Sequence, residues 1–288
     1  MELLFLLIYR LVLYPAALTL ASFAAIFGHK KMRDGLIMRF PRGTDHPWFD
    51  LPKNKQPIWI HASSGEFEYA KPVITAIKNK YPWQKILVTY FSPTYKKNIE
   101  AFKGVDFSCP LPWDFPGAMT SFIRHHNPKA LLIARTDLWP ELLYQAHRLK
   151  VPSLLFSATK SKLQKKDLLL KPFFTWIFSK INLIFTVSEE DRLNFLDLGA
   201  QVVHSKGDTR YDQVISRLQN PKPIKETLFT ENSPPILLCG STWSEDEKVL
   251  LLATENFILG KQLRLILAPH EPTENPLKEL CCDLETFK

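Results

Sequence analysis

The sequence contains little cysteine. Four cysteines occur among 288 residues, at positions 109, 239, 281 and 282. No pair of them has the spacing of a metal site, and the adjacent pair Cys281 and Cys282 is a poor candidate for a disulfide. We therefore expect reduced thiols in a cytoplasmic protein, and neither a metal site nor a cofactor site built on cysteine.

The sequence also lacks the features of a nucleic-acid-binding module, since it has neither zinc-finger spacing nor an RNP-type motif. It contains no short internal repeat and no low-complexity tract. The formal net charge of +8 suggests an anionic partner or surface. The charge does not choose among nucleic acid, anionic lipid and phosphorylated substrate, and ordinary solubilising charge explains most of the scattered basic residues.

The N-terminal segment Leu3–Phe27 is strongly apolar, and only Arg10 interrupts it. Its uncharged part is about 18 residues long, near the lower limit for a membrane span. Basic residues follow at once, as expected on the cytoplasmic side of a membrane. We expect residues 1–29 to form a membrane anchor, either as a short span or as a helix lying in the interface. A buried N-terminal helix is the alternative.

Short predicted strands, among them residues 105–107 and 130–134, alternate with predicted helical segments from residue 58 onward. The helical segments include residues 116–126 and a basic region that runs from Thr159 to about Lys180. This alternation predicts an α/β fold with a mostly parallel sheet. In such sheets ligands bind beyond the carboxyl ends of the strands. Polar loops that follow the predicted strands are therefore candidates for the site.

One strand–turn–helix stretch carries a candidate catalytic residue. The apolar run Ile58–Ile60 leads into a Ser/Gly turn, and Glu66 stands where the next helix begins. A carboxylate at this place can act as a general base. The residues alone leave a second interpretation open, in which Ser64 and Glu66 only cap the helix and Glu68 belongs to a solvated face.

A boundary is predicted near residues 220–235, where proline and charged residues concentrate. A second strand–turn–helix unit follows, with a turn at 240–243 that offers hydroxyls and backbone amides to a phosphate. The next strand ends at Pro269 and His270. We expect a second domain that is incomplete, because a helix and two strands make a poor domain.

Taken together, these motifs resemble the bacterial Kdo transferase family, which adds 3-deoxy-manno-octulosonate (Kdo) to lipid A precursors. No single motif is specific, but their number, order and spacing are. The motifs are His61-Ala62-Ser63-Ser64-Gly65-Glu66, Thr89 to Thr94, Leu111-Pro112-Trp113-Asp114, Asp137-Leu138-Trp139-Pro140, Glu189-Glu190-Asp191, Gly207 to Asp212, Gly240-Ser241-Thr242 and Ala268-Pro269-His270.

The resemblance implies a GT-B-type glycosyltransferase with two Rossmann-like domains, behind the N-terminal membrane helix. Residues 30–225 would form the acceptor-binding domain and residues 226–288 part of the domain that binds the CMP-sugar. The implied partners are CMP-Kdo, a lipid A precursor (lipid IVA) and the cytoplasmic face of the inner membrane. No metal and no cofactor is implied.

The resemblance also assigns roles to residues. Glu66 would be the general base of an inverting transfer, assisted by the cations Arg135 and Arg210. Ser64 and Ser92 would lie near the acceptor. The donor residues would be Ser241, Thr242, Pro269 and His270.

This sequence departs from the family pattern at several places. The turn before Glu66 has one residue fewer than is common, Arg135 stands where many members carry glutamate, and His270 stands where arginine is common. The family's Gly-Gly-His-Asn-Pro-Leu-Glu-type donor motif is not found in the sequence. Two alternatives follow: a catalytically inactive, truncated remnant that binds membrane or acceptor lipid, and a sugar-nucleotide epimerase of the same fold type. The apolar N-terminus argues against the epimerase.

Overall fold

A computed structural model describes residues 2–39, 53–160, 162–219, 221 and 233–270. The chain divides into two compact units, Met1–Pro221 and Lys222–Lys288. Each unit is described by itself below.

The first unit is built on a seven-stranded parallel sheet with the strand order β3-β2-β1-β4-β5-β6-β7. The predicted α/β fold with a parallel sheet is thus confirmed. The strands are β1 (Ile58–His61), β2 (Ile86–Tyr90), β3 (Phe107–Pro110), β4 (Ala130–Ala134), β5 (Ser153–Ala158), β6 (Leu183–Thr186) and β7 (Val203–Ser205).

Helices cover both faces of this sheet. The neighbouring residues Trp59 and Ile60 are both fully buried and belong to different clusters of the core. A strand with both faces buried reads as a continuous apolar run, which is how β1 and β2 stand out in the sequence. The helices after the N-terminal segment are α3 (Lys30–Ile37), α4 (Phe67–Lys80), α5 (Lys96–Glu100), α6 (Pro116–His126), α7 (Pro140–Arg148), α8 (Lys165–Leu169), α9 (Lys171–Phe178), α10 (Glu189–Asp197) and α11 (Arg210–Gln219).

The N-terminal segment is helical throughout. Helix α1 (Glu2–Ile8), a π-helical turn (Tyr9–Leu13) and helix α2 (Tyr14–Ile26) follow one another. The stretch Leu4–Ile26 is long and apolar enough to cross a membrane, and little of it is buried. This finding agrees with the predicted apolar helix.

One side of this N-terminal helix packs on the first unit. Arg10 forms a two-pronged ion pair with the buried Glu141, with Nε and Nη2 at 2.7 and 2.8 Å from its carboxylate oxygens. The Tyr9 hydroxyl donates to Asp114 at 2.6 Å, and the backbone N–H of Asp114 donates to the Tyr14 hydroxyl. The charge that interrupts the apolar run therefore has its partner within the protein.

One predicted strand is placed wrongly. The third strand is Phe107–Pro110 rather than 105–107, because the Asp106 carboxylate accepts the Ile86 N–H and pairs with Lys78 and Lys85 before the strand begins. The basic region after Thr159, which was predicted to be helical, contains two helices, α8 and α9.

The second unit contains β8 (Ile236–Thr242), α12 (Ser244–Leu259) and β9 (Arg264–Pro269), with the two strands parallel. The predicted turn at 240–243 is wrong for its first three residues. They continue β8 through a register shift, and Ser241 has a positive φ of 59°. A short Gly-Ser-Thr stretch resembles a turn, but here the chain extends through a bulge.

Candidate active site

Glu66 lies at the junction between the turn after β1 and helix α4. Its half-buried carboxylate accepts a hydrogen bond of 2.8 Å from the backbone N–H of Ser64. It makes no side-chain hydrogen bond to the free N–H groups of α4. The turn thus orients the carboxylate through one oxygen, and within the described part of the chain the other oxygen is left to accept a proton.

Tyr69 lies one helical turn after Glu66 and brings two arginines together. The guanidinium of Arg210 lies 4.4 Å from the centre of the Tyr69 ring, and that of Arg135 lies 5.0 Å from it. Cation–π contacts of this kind are worth about 0.5–1 kcal/mol each when partly exposed. The two predicted cations therefore share one aromatic platform next to Glu66.

The loop that carries Arg210 is attached to the rest of the unit by Thr209. The Thr209 hydroxyl donates to the backbone carbonyl of Tyr69 at 2.8 Å, and its backbone N–H donates to the Ser157 hydroxyl at 3.1 Å. Arg210 in turn pairs with Asp208 at 2.9 Å. The hydrogen bond to Asp208 raises the pKa of the Arg210 guanidinium, so this group carries a permanent positive charge.

Ser92 lies close to the turn that holds Glu66. The carbonyl oxygen of Ser63 accepts hydrogen bonds from the backbone N–H groups of Phe91 and Ser92, at 2.9 and 2.8 Å. The Ser92 hydroxyl donates to the hydroxyl of Thr94 at 3.1 Å. The loops after β1 and β2 are joined, and they bring Ser64, Glu66 and Ser92 to one edge of the sheet.

A buried network below this turn was not assigned a role from the sequence. The Nε2 atom of His61 lies 2.8 Å from the Asp137 carboxylate, and the Ser63 hydroxyl donates to the same carboxylate. The Nδ1 atom of His61 lies 3.0 Å from the Thr89 hydroxyl, which also accepts the Trp59 indole N–H. Burial alone would raise the pKa of Asp137. The charge of His61 and the hydrogen bonds that the Asp137 carboxylate accepts lower this pKa below its ordinary value.

A half-open cavity of about 600 Å³ lies beside the loop of Arg135. Its walls combine apolar side chains, among them three phenylalanines of α9 and α10, with polar and charged side chains from α10 and from the loops after β4 and β5. The lining residues are Thr136, Leu138, Thr159, Lys160, Phe174, Phe178, Asp191 and Phe195. A cavity with this lining can hold an apolar chain next to a polar group.

Glu68 takes part in ion pairs rather than lying on a freely solvated face. It pairs with Lys71 at 2.5 Å and with Arg217 at 3.4 Å. The pair with Lys71 lies within α4 and the pair with Arg217 joins α4 to α11, which leaves Glu66 as the carboxylate at the turn.

The predicted donor residues lie in the second unit. The buried Thr242 hydroxyl donates to Glu247 at 2.7 Å, so its hydrogen is used within the unit. The backbone N–H of His270 donates to the Thr242 carbonyl at 2.9 Å, and the His270 ring lies 4.7 Å from the Trp243 ring, centre to centre. Ser241 and Pro269 are the neighbouring residues at the ends of the two paired strands. Within the residues that the structure describes, no three His, Cys, Asp or Glu side chains form a metal-binding group.

Residues 37–213 match the family model described as 3-Deoxy-D-manno-octulosonic-acid transferase (kdotransferase). The 3-deoxy-D-manno-octulosonic acid transferase of Haemophilus influenzae is 28% identical over 225 residues, which are 75% of this chain and 52% of that protein. The protein of the same name from Aquifex aeolicus is 32% identical over 169 residues, or 57% of this chain and 43% of that protein. The chain therefore spans about half the length of these curated relatives.

Solved structures show the same fold at low sequence identity. The UDP-GlcNAc 2-epimerase from Neisseria meningitidis, solved with UDP-GlcNAc, has a TM-score of 0.57 at 16% identity, covering 80% of this chain and 69% of its own. A UDP-N-acetylglucosamine 2-epimerase from Listeria monocytogenes has the same TM-score at 12% identity, covering 80% and 66%. These likenesses support the fold class and carry no statement about activity.

Proposed function

Because this chain belongs to the 3-deoxy-D-manno-octulosonic acid transferase family, we propose that it transfers Kdo from CMP-Kdo to a lipid A precursor such as lipid IVA. The activity is that of a glycosyltransferase in lipopolysaccharide biosynthesis. The observation that carries this proposal is the arrangement of one oriented carboxylate, Glu66, beside two arginines on a shared aromatic ring.

In the proposed reaction Glu66 accepts the proton of a glucosamine hydroxyl of the acceptor lipid. The hydroxyl oxygen forms a bond to the anomeric carbon of Kdo while the bond from that carbon to the phosphate oxygen of CMP breaks. CMP leaves with the bonding electrons, and the anomeric configuration is inverted. A positioned carboxylate is suited to this proton transfer, which contributes typically 10²–10⁴-fold to the rate.

Negative charge increases on the phosphate of CMP as it leaves. Arg210 and Arg135 would stabilise this charge, since cations placed where charge develops lower the barrier most. Their contacts with Tyr69 support this role because they hold both cations at one ring, close to Glu66.

The acceptor would bind along the carboxyl edge of the first unit. Ser64 and Ser92 would contact its sugar, and the cavity next to Arg135 has apolar walls that fit an acyl chain. CMP-Kdo would bind to the domain of residues 226–288 through Ser241, Thr242, Pro269 and His270. The hydroxyl of Thr242 would act there as an acceptor, because its hydrogen is donated to Glu247.

The acceptor lipid places the reaction at a membrane. We assign the protein to the cytoplasmic face of the inner membrane, with residues 1–29 as the attachment. The apolar stretch Leu4–Ile26 supports this assignment.

A transfer assay tests the proposed function. Purified chain is incubated with a tetraacylated lipid A precursor and CMP-Kdo, and the lipid products are analysed by mass spectrometry. We expect a lipid product heavier by at least one Kdo residue, and none when CMP-Kdo is replaced by UDP-GlcNAc. A reaction that consumes UDP-GlcNAc without changing the lipid would instead indicate an epimerase and would refute the proposal.

A further inference from the structure

Three consecutive leucines face solvent where α8 joins α9. Leu168, Leu169 and Leu170 are 54%, 82% and 50% exposed. Single exposed leucines are ordinary on protein surfaces, but an adjacent group of this size marks an interaction site. We call residues 168–170 the leucine turn.

The leucine turn is held in place by the polar side of α8. The buried Asp167 accepts hydrogen bonds from the Lys160 ammonium at 2.7 Å and from the backbone N–H of Gln164 at 2.9 Å. Gln164 and Asp167 also form a reciprocal capping box at the start of the helix. With Asp167 fixed on the inner side of α8, the leucines are directed outward.

Positive charge surrounds the leucine turn. Between residues 162 and 171 the sequence contains four lysines and a single carboxylate, which is the internally paired Asp167. All four lysines, Lys162, Lys165, Lys166 and Lys171, are exposed. An apolar tip flanked by exposed cations is complementary to a bilayer with anionic headgroups.

The leucine turn also continues the apolar surface of the N-terminal helix. Phe5 of α1 packs against Phe173 and Trp176 of α9, with ring centres 5.9 and 5.8 Å apart. Phe173 lies only three residues, about one helical turn, after Leu170. Leu4 and Leu7, which flank Phe5 on α1, are exposed.

We propose that the leucine turn inserts into the surface of an anionic lipid bilayer, with the four lysines at the level of the headgroups. It is a second membrane contact, separate in sequence from the N-terminal helix. Two attachments on one unit fix how that unit is oriented on the bilayer, whereas a single helix would leave it free to rotate. The proposal concerns lipid contact and is tested without transfer activity.

The first test places an environment-sensitive fluorophore on the turn. NBD is attached through Leu169→Cys in a chain in which Cys239, Cys281 and Cys282 are replaced by serine and the buried Cys109 is kept. A matched chain carries NBD through Leu193→Cys on α10, where the leucine is 51% exposed. With vesicles of phosphatidylcholine and phosphatidylglycerol, we expect a blue shift and a several-fold rise in emission at position 169, and little change at position 193.

Three outcomes would overturn the proposal. Emission at 169 that does not change with vesicles would show that the turn stays in water. Equal changes at 169 and 193 would show non-specific adsorption. A blue shift without vesicles that grows with protein concentration would show that a second copy of the chain covers the leucines.

The second test uses charge. The pair Lys165→Ser and Lys166→Ser should weaken partitioning into the anionic vesicles by roughly fivefold for each lysine, and should leave partitioning into pure phosphatidylcholine unchanged. The control pair is Lys53→Ser and Lys55→Ser. These two exposed lysines lie just before the amino end of β1. If both pairs weaken binding equally, the positive charge acts as a whole and the leucine turn is not the contact.

Discussion

His61 and Asp137 are paired at 2.8 Å between Nε2 and the carboxylate, and His61 is fully buried. His61 ends β1, directly before the turn that holds Glu66, and Asp137 belongs to the loop after β4 that also carries Arg135. The pair therefore connects the candidate base to one of its candidate cations. Ser63 donates to the same carboxylate and completes this connection.

Asp137→Ala should destabilise the first unit. The substitution leaves the buried His61 without its carboxylate partner and removes the acceptor of the Ser63 hydroxyl. Removing one partner of a buried ion pair costs about 3–5 kcal/mol. Since the Asp137 side chain is 23% exposed, we expect roughly 2–3 kcal/mol in the free energy of unfolding measured with urea. Asp137→Asn, which keeps an acceptor oxygen, should lose less. Equal stability of Asp137→Ala and the wild type would contradict this account of the network.

Tyr69→Leu should impair transfer more than binding. The substitution removes the ring that holds Arg135 and Arg210, while Thr209 still binds the backbone carbonyl at position 69. We expect kcat to fall by roughly one to two orders of magnitude, since misplaced charges stabilise the transition state poorly, with a smaller change in KM. Tyr69→Phe keeps the ring and should remain near wild type. A Tyr69→Leu enzyme with normal kcat would show that the aromatic platform does not matter.

Arg10→Ala should release the N-terminal helix from the first unit. Glu141 is fully buried, and without Arg10 its carboxylate keeps the Gln145 amide as partner but loses its cation. We expect a loss of roughly 2–4 kcal/mol in the free energy of unfolding and faster proteolysis of the N-terminal segment. Leu11→Ala, at a side chain that is 72% exposed, serves as the control and should change stability by less than about 0.5 kcal/mol. If the two variants behave alike, the pair does not hold the helix.

The first unit should lose stability in mild acid because of His126. Burial, with the charge of His125, lowers the pKa of His126 to about 4, and its Nε2 has no hydrogen-bond partner among the described residues. Below the ordinary pKa of about 6.5 the unfolded chain binds a proton that the folded one does not. Stability contributed by the neutral side chain is therefore complete above pH 6.5 and is lost as the pH falls towards 4, by roughly 3 kcal/mol at most.

His126→Phe should remove this part of the pH dependence. The phenylalanine ring keeps the packing against Phe122 and cannot take up a proton. Urea unfolding at several values between pH 4 and pH 7 measures the slope for both proteins. Parallel slopes would show that another group causes the acid sensitivity.

The sequence was sufficient to predict the sheet and the position of Glu66, because buried parallel strands and helix starts leave strong local patterns. The strand Ala130–Ala134 and the helix Pro116–His126 lie where the apolar runs and the proline signals predicted them. The local sequence pattern misplaces an element where a contact between distant residues sets its bounds. The bond from the Ile86 N–H to the Asp106 carboxylate holds Asp106 outside β3, and a bulge at Ser241 lets β8 continue where a turn was predicted.

The network beneath the site could not be derived from the sequence, because its members come from different strands. His61 and Asp137 are 76 positions apart, and the arginines at 135 and 210 come from different loops to contact the ring of Tyr69. The available signal was weak: a histidine at the end of an apolar strand and an aspartate in the loop after another strand. Parallel topology brings such residues to one edge, but it does not say which of them pair.

The most direct test of the central claim compares Glu66→Gln with Glu68→Gln in the Kdo transfer assay. Both variants lose one carboxylate from the same stretch, but the Glu68 carboxylate is engaged with Lys71 and Arg217, while Glu66 is held by a backbone N–H. If Glu66 is the general base, Glu66→Gln lowers kcat by about 10²-fold or more, and Glu68→Gln stays within a few-fold of the wild type. Transfer by Glu66→Gln at the wild-type rate would contradict the account.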